Sequence, residues 1–305
     1  MSIEQLRGVT ILDTPIFIGD DVPAKIKEAL IEAGVTPATG GTPLVGMTWV
    51  PTSLPSSVVW VHAPSMGVDT LLEKLPSNVR LLTRTTHGMP ERIAWYVETA
   101  INAEVWALHR FHTQQSQKSW HRLPVPFVPT KDTAIVVGTG MVGMAIARRL
   151  RPMFSRLVGV SLSGTRKPEF DEVVKLTDMV PWEVADCVVV ALPLTQSTVG
   201  AIGHTAFMRM SGAHLISVGR GATVDHEALR PALDSARVRH ATLDVVPVEP
   251  LPADSWLWSH PHITITPHIC GITTPADVVS SFIAACQKLE AGLIPDTAVD
   301  LDRGY

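Results

Sequence analysis

The sequence predicts an α/β protein with parallel sheets in two domains, and three observations predict it. Beyond about residue 130, short apolar runs alternate with helical patterns, and the runs lack polar alternation, as strands buried on both faces do. Ala134-Ile-Val-Val-Gly-Thr-Gly-Met-Val-Gly143 reads as a buried strand, a tight turn and the start of a helix. Finally, 305 residues exceed the usual size of one core, and Pro124, Pro126 and Pro129 punctuate a stretch that reads as an interdomain hinge.

Before the hinge, strands are expected at Val9–Leu12, Pro15–Ile18, Ser57–His62 and Val79–Thr83. Asp21 and Pro23 signal the start of a helix running to Leu30. Ile93, Val97, Ile101, Val105 and Leu108 recur at helical spacing and predict one long helix from Pro90 to about Ser116. After the hinge, the strands are Ala134–Val137, Leu157–Val160, Cys187–Leu192, His214–Val218, Ala241–Val245 and Ile263–Ile265. A last helix spans about 273–291, with Pro275 near its start, and the polar tail to Tyr305 has no period.

Composition narrows the function classes. A net charge of −4 gives no field favouring nucleic acid or an anionic membrane. No apolar run reaches membrane-spanning length, and the N-terminus lacks an apolar signal core. Three cysteines without a C-x-x-C pair suit reduced thiols, so the cytoplasm is the expected location. His260 and His262 flank Pro261 without a third ligand at suitable spacing, so no metal site is expected.

Gly138, Gly140 and Gly143 form G-x-G-x-x-G in strand–turn–helix context. One glycine makes the turn, one lets backbone approach a pyrophosphate, and one packs helix on strand. Three later stretches add chemistry. Arg220 follows a strand directly, where its planar fork can hold a carboxylate. Asp244 ends a strand, and Glu249 lies in a proline-stiffened loop. His268 follows Pro267, and a histidine–carboxylate pair near a nicotinamide is what alcohol/ketone interconversion requires.

With those residues in place, the chain resembles the D-2-hydroxyacid dehydrogenase family, especially its glyoxylate/hydroxypyruvate reductase branch. The resemblance rests on Trp60–Asp69, the glycine turn, Leu192–Thr195, Gly219-Arg-Gly221, Asp244, Glu249–Pro252, Pro267-His268 and Arg303–Tyr305. It implies two Rossmann-like doubly wound parallel-sheet domains separated by a cleft. The substrate domain would be 1–123 plus about 273–305 and the dinucleotide domain 124–272, usually in a homodimer. It implies a reductase of small 2-oxoacids, with a non-catalytic dinucleotide sensor, corepressor-like, as the rival. Arg220, Glu249 and His268 would be catalytic, and the backbone of Met66, Gly67 and Val68 would join Arg220 in holding the substrate carboxylate. Cofactor contacts would come from Gly138, Gly140, Met141, Val142, Gly143, Leu192, Pro193, Thr198, Val218, Gly219, Asp244, His268 and Gly271. The chain departs from the pattern at Ser217, often Asn, and at His226, often Glu. It also departs at Met66, usually small, and at Trp95, often Glu.

The residues also address which dinucleotide. An NAD-preferring fold places a carboxylate after the second strand. Here Ser161-Leu-Ser-Gly-Thr-Arg-Lys167 offers none before Glu169, so Ser161, Ser163, Thr165 and Arg166 are expected to hold the 2′-phosphate of NADP, with NAD possible. Leu162 stands where the family typically has Arg.

Overall fold

The computed structural model describes residues 10–51, 53–123 and 132–305, so the hinge at Pro124–Pro129 lies outside the described residues. The chain forms two compact units, 1–89 with 272–305 and 90–271. The division falls at 89/90 where the sequence reading has 123/124.

The first unit begins, among its described residues, with one 3₁₀ turn at Ile11–Asp13 rather than the expected strand. The Ile11 amide donates to Glu290 Oε1 and its carbonyl accepts from Thr14 Oγ1, which leaves neither for a sheet. Strand β1 (Phe17–Ile18), helix α1 (Ala24–Glu32), β2 (Val45–Met47), β3 (Trp60–Ala63), α2 (Asp69–Leu72) and β4 (Leu81–Arg84) follow. The four strands pair in parallel in chain order. Alternation along them fills two cores: Trp60 and Leu81 face one, Val61 and Leu82 the other. β2 escaped the sequence reading because Val45-Gly-Met47 is too short to show a period. Asp21 does not cap α1; it accepts from Thr48 Oγ1 and the amides of Trp49 and Val50.

A buried polar chain ties β3 to β4. Trp60 Nε1 donates to Thr83 Oγ1 at 2.8 Å, and Thr85 Oγ1 donates to Ala63 O at 3.0 Å. His62 lies between, with Nδ1 2.8 Å from Thr83 Oγ1 and Nε2 3.2 Å from Thr85 Oγ1. Because the Thr85 proton is committed to Ala63, His62 carries its proton on Nε2 and accepts on Nδ1 from Thr83. Burial pushes His62 down to about 3, so the ring is neutral.

The second unit, from Pro90, holds all but the first residue of α3 (Met89–Val105) and then α4 (Leu108–Ser116), where the sequence predicts one helix. The break is at Ala107, whose φ of 50° ends one helix and starts the other at a new angle. α3 belongs to this unit because Glu98 accepts from Arg149 and Glu104 lies 3.6 Å from buried His240. Then come β5 (Thr133–Val137), α5 (Met141–Leu150), β6 (Arg156–Ser161), β7 (Glu172–Lys175), β8 (Ala185–Val190), α6 (His204–Arg209), β9 (Ala213–Ser217), α7 (His226–Asp234), β10 (Val238–Leu243) and β11 (Ile263–Ile265). All are parallel, in the order β11-β10-β9-β8-β5-β6-β7. This is the doubly wound Rossmann order, and it reverses between β5 and β8, where the glycine turn leaves β5. β7 was not expected because its Glu-Val-Val-Lys reads as polar edge.

Helix α8 (Pro275–Glu290) returns to the first unit, opened by a capping box of Thr274 and Asp277. Its Phe282 stacks on Trp60 at 5.4 Å and meets the His62 ring edge-on. The tail docks on the same sheet: Ala298 bridges Thr83 antiparallel and the Val299 amide donates to Leu82 O at 2.8 Å. No helix among the described residues is long and apolar enough to cross a membrane.

Candidate active site

The glycine turn has the geometry a dinucleotide needs. Gly138 lies at φ 105°, and a Cβ on Gly143 would fall 1.8 Å from Gly138 O, so α5 can sit against β5 only with glycine there. At Gly140 a Cβ would meet nothing within 4 Å, and no side chain caps the helix. The first amides of α5, those of Met141, Val142 and Gly143, thus face an open cradle suited to a pyrophosphate. After β8, Leu192 and Pro193 lead into a turn locked by Thr198, whose hydroxyl donates to Pro193 O at 2.6 Å and accepts from the Thr195 amide. Thr198 is itself buried, so this hydroxyl shapes the rim from within.

After β9, Val218 and Gly219 bring the chain to Arg220, which opens a 3₁₀ turn and donates from Nη1 to Gly219 O at 2.9 Å. A Cβ on Gly221 would lie 2.0 Å from the Val246 carbonyl carbon, so glycine allows the Arg220 turn to rest on the segment that carries Glu249. Arg220 also acts electrostatically on the buried Cys270 thiol, which burial and the Asp244 charge push up and the guanidinium pulls down. Arg220 therefore lies near the His268 loop.

His268 and Glu249 meet: Nδ1 is 2.7 Å from Glu249 Oε2, while Glu249 Oε1 accepts from the Val246 amide at 3.1 Å. The ring is half-exposed, so Nε2 is left to face a ligand. His268 has φ 53°, the left-handed region that side chains adopt at a cost of about 1–3 kcal/mol. Asp244 offsets that cost. Its carbonyl accepts from the His268 amide, its Oδ1 from the Ile269 amide at 2.9 Å and from Thr266 Oγ1 at 2.6 Å, and its Oδ2 from the Cys270 amide at 3.0 Å. Asp244 is 2% exposed, so the observed work of its carboxylate is to clamp the loop. Gly271 closes this stretch. Thr266 escaped the sequence reading, although it directly precedes Pro267-His268.

In the first unit, Ser65 Oγ donates to Gly67 O at 2.8 Å and shapes the Met66–Val68 turn. No acceptor among the described residues takes the amides of Met66, Gly67 or Val68, which suits an anion. Two departures from the family pattern each leave a buried polar atom without a partner among the described residues: Ser217 Oγ and His226 Nε2. The 161–167 loop folds on itself, with Ser161 Oγ accepting from the Gly164 amide and Ser163 Oγ from the Thr165 amide. His260 sits beside Asp234 rather than with a metal-ligating set, and no such set occurs among the described residues. Trp60 is core, whereas Trp95, Trp106 and Trp120 are exposed.

Residues 99–270 match the model of the NAD-binding domain of D-isomer specific 2-hydroxyacid dehydrogenases. An uncharacterized Streptomyces coelicolor protein is 37% identical over 251 residues, 81% of this chain and 90% of that one. A Yersinia enterocolitica glyoxylate/hydroxypyruvate reductase A is 32% identical over 265 residues, 80% and 81% of the two chains. The solved structure of a Xanthobacter autotrophicus D-isomer specific 2-hydroxyacid dehydrogenase, in complex with NADPH and MES, superposes with a TM-score of 0.82 at 28% identity. That match covers 96% of this chain and 99% of the other. A matched domain spanning more than half the chain, and relatives of this identity along most of the rest, place it in one family: the chain belongs to the D-isomer specific 2-hydroxyacid dehydrogenases.

Proposed function

We propose that the protein reduces a small 2-oxoacid of the glyoxylate or hydroxypyruvate kind to the D-2-hydroxyacid, with NADPH as the preferred reductant. The observation that carries this reading is the His268–Glu249 hydrogen bond in a unit that also carries Arg220 and an open glycine cradle. Gly140 and the first amides of α5 would hold the pyrophosphate, and the bound dinucleotide supplies a hydride to C2 of the substrate. Arg220 would pair with the substrate carboxylate and polarise the carbonyl, with the Met66–Val68 amides as further donors. His268, protonated and donating from Nδ1 to Glu249, releases its Nε2 proton to the carbonyl oxygen as that oxygen gains charge. Glu249 stabilises the imidazolium and fixes the ring.

Steady-state oxidation of NADPH and NADH with glyoxylate, hydroxypyruvate, pyruvate and phenylpyruvate tests the reading. Turnover with the smaller acids supports it; tight dinucleotide binding without turnover of any 2-oxoacid favours the dinucleotide sensor instead. Reduced, buried Cys187, Cys270 and Cys286 support a cytoplasmic setting. Exposed Trp95, Trp106, Leu108 and Phe111 on or beside α3 and α4 support a homodimer, which sedimentation would reveal.

Preference for NADPH follows from charge. Arg166 is exposed and makes no hydrogen bond or ion pair with the described residues, while Glu169 is held by Arg148 at 3.0 Å and turned to α5. The loop thus offers Ser161, Ser163, Thr165 and a cation, with no competing carboxylate. Arg166→Ala is expected to lower kcat/KM for NADPH by about 10-fold or more, through KM, while NADH values stay unchanged. Equal efficiency with both cofactors in the unaltered protein would refute the preference.

A further inference from the structure

The clamp that holds His268 has an outer end on a different element. Thr266 Oγ1 has one proton, and Asp244 Oδ1 takes it at 2.6 Å. The Tyr96 hydroxyl, 2.6 Å from the same Thr266 oxygen, must then be the donor, so the chain runs one way, from Tyr96 through Thr266 to Asp244. Burial and the Asp244 charge push the phenol up, so it keeps its proton and stays a donor. A donor on the far side of a hydroxyl strengthens the bond that hydroxyl gives, here the one to Asp244. Asp244 in turn receives the amides of Ile269 and Cys270, immediately after His268, and the His268 amide itself.

We propose that Tyr96 is a positioning residue for the reaction, acting through Thr266 and Asp244 to hold the loop that presents His268. The proposal rests on His268 being the proton donor. It gives α3 a task in catalysis beyond packing, because the Tyr96 hydroxyl reaches the 266–270 loop through Thr266. Without the phenol hydroxyl, Thr266 can rotate, Asp244 loses its shortest fixed donor, and the left-handed His268 relaxes among several orientations.

The test uses the full chain. Tyr96→Phe keeps the ring and removes the hydroxyl. With saturating NADPH, kcat for 2-oxoacid reduction is expected to fall about 10-fold, the size of one lost hydrogen bond in a charged network, while both KM values hold. Thr266→Val should show the same loss, Thr266→Ser should restore activity, and Tyr96→Phe combined with Thr266→Val should be no worse than Thr266→Val alone. Hydrogen exchange at the Ile269 and Cys270 amides should quicken in Tyr96→Phe, with Thr242 in β10 unchanged. That measurement needs no substrate, so it stands even if no 2-oxoacid is turned over. Unaltered kcat, additive losses, or a fall in kcat with unaltered exchange at Ile269 and Cys270 would each overturn the proposal.

Discussion

Replacing His268 with alanine is expected to slow 2-oxoacid reduction by about 10²–10⁴-fold while leaving dinucleotide affinity nearly intact, because a positioned general acid is typically worth that much. The geometry says why the loss falls on the chemical step. Glu249 Oε2 occupies one ring nitrogen at 2.7 Å and leaves the other, on a half-exposed ring, for the proposed proton transfer. The Gly138–Gly143 turn and the turn around Thr198, proposed to hold the dinucleotide, lie at the ends of other strands. Fluorescence titration with NADPH and pre-steady-state reduction, run on the same preparation, separate the two quantities. Near-normal turnover by the alanine variant would remove His268 from the role of proton donor.

Acid should unfold the first unit through His62, the second large effect. Its ring is neutral in the folded protein, held down to about 3 by burial, against an ordinary value near 6.5. Between those values the unfolded chain binds a proton that the folded chain refuses. The stabilising contribution is therefore complete above pH 6.5 and is lost as pH falls toward 3. One pH unit is worth about 1.4 kcal/mol, so about 3 kcal/mol is gone by pH 4.5. Protonation would also put a hydrogen on Nδ1, where Thr83 already donates, and would break the chain from Trp60 to Ala63. Hydrogen exchange of β3 amides at several pH values should show this slope in the natural protein and a flatter one in His62→Gln. Equal slopes would show that His62 is not the titrating group. His214, buried at 2.9 Å from Thr242, is held below its ordinary value in the same way and adds a parallel sensitivity in the second unit.

The features legible in the sequence were those with local causes. The glycine turn announces itself because strand, turn and helix are consecutive and each glycine has its own steric reason. The interior strands of the second unit are legible because both faces are buried and the apolar runs are unbroken, whereas the polar edge strand β7 was not. Pro267-His268 and Glu249 could be paired in advance because the reaction chemistry needs a histidine with a carboxylate. What could not be read depends on distance or on backbone angle. Ala107 is a good helix former by composition, so nothing nearby foretells its φ of 50°. Asp244 was placed at its strand end, but its carboxylate turning back onto three donors of the 266–270 loop has no sequence signature. Tyr96 meets Thr266 across 170 positions and reads only as one more aromatic residue on a helix. The compact boundary at 89/90 likewise follows from tertiary contacts of α3, not from the prolines that punctuate 124–129.

The first unit is built from two separated parts of the chain, and this orders events during synthesis. Residues 10–89 leave the ribosome early, but Phe282, which stacks on Trp60, and Val299, whose amide pairs with Leu82 of β4, come from beyond residue 272. The intervening residues 90–271 form a continuous unit that can close on its own first. At roughly 5–20 residues per second, the early part waits on the order of 10–40 s for α8. During that interval the apolar faces of Ile26, Leu30 and Trp60 lack their cover, so a nascent chain stalled before residue 272 should bind general chaperones, and one that has exposed α8 and Val299 should not.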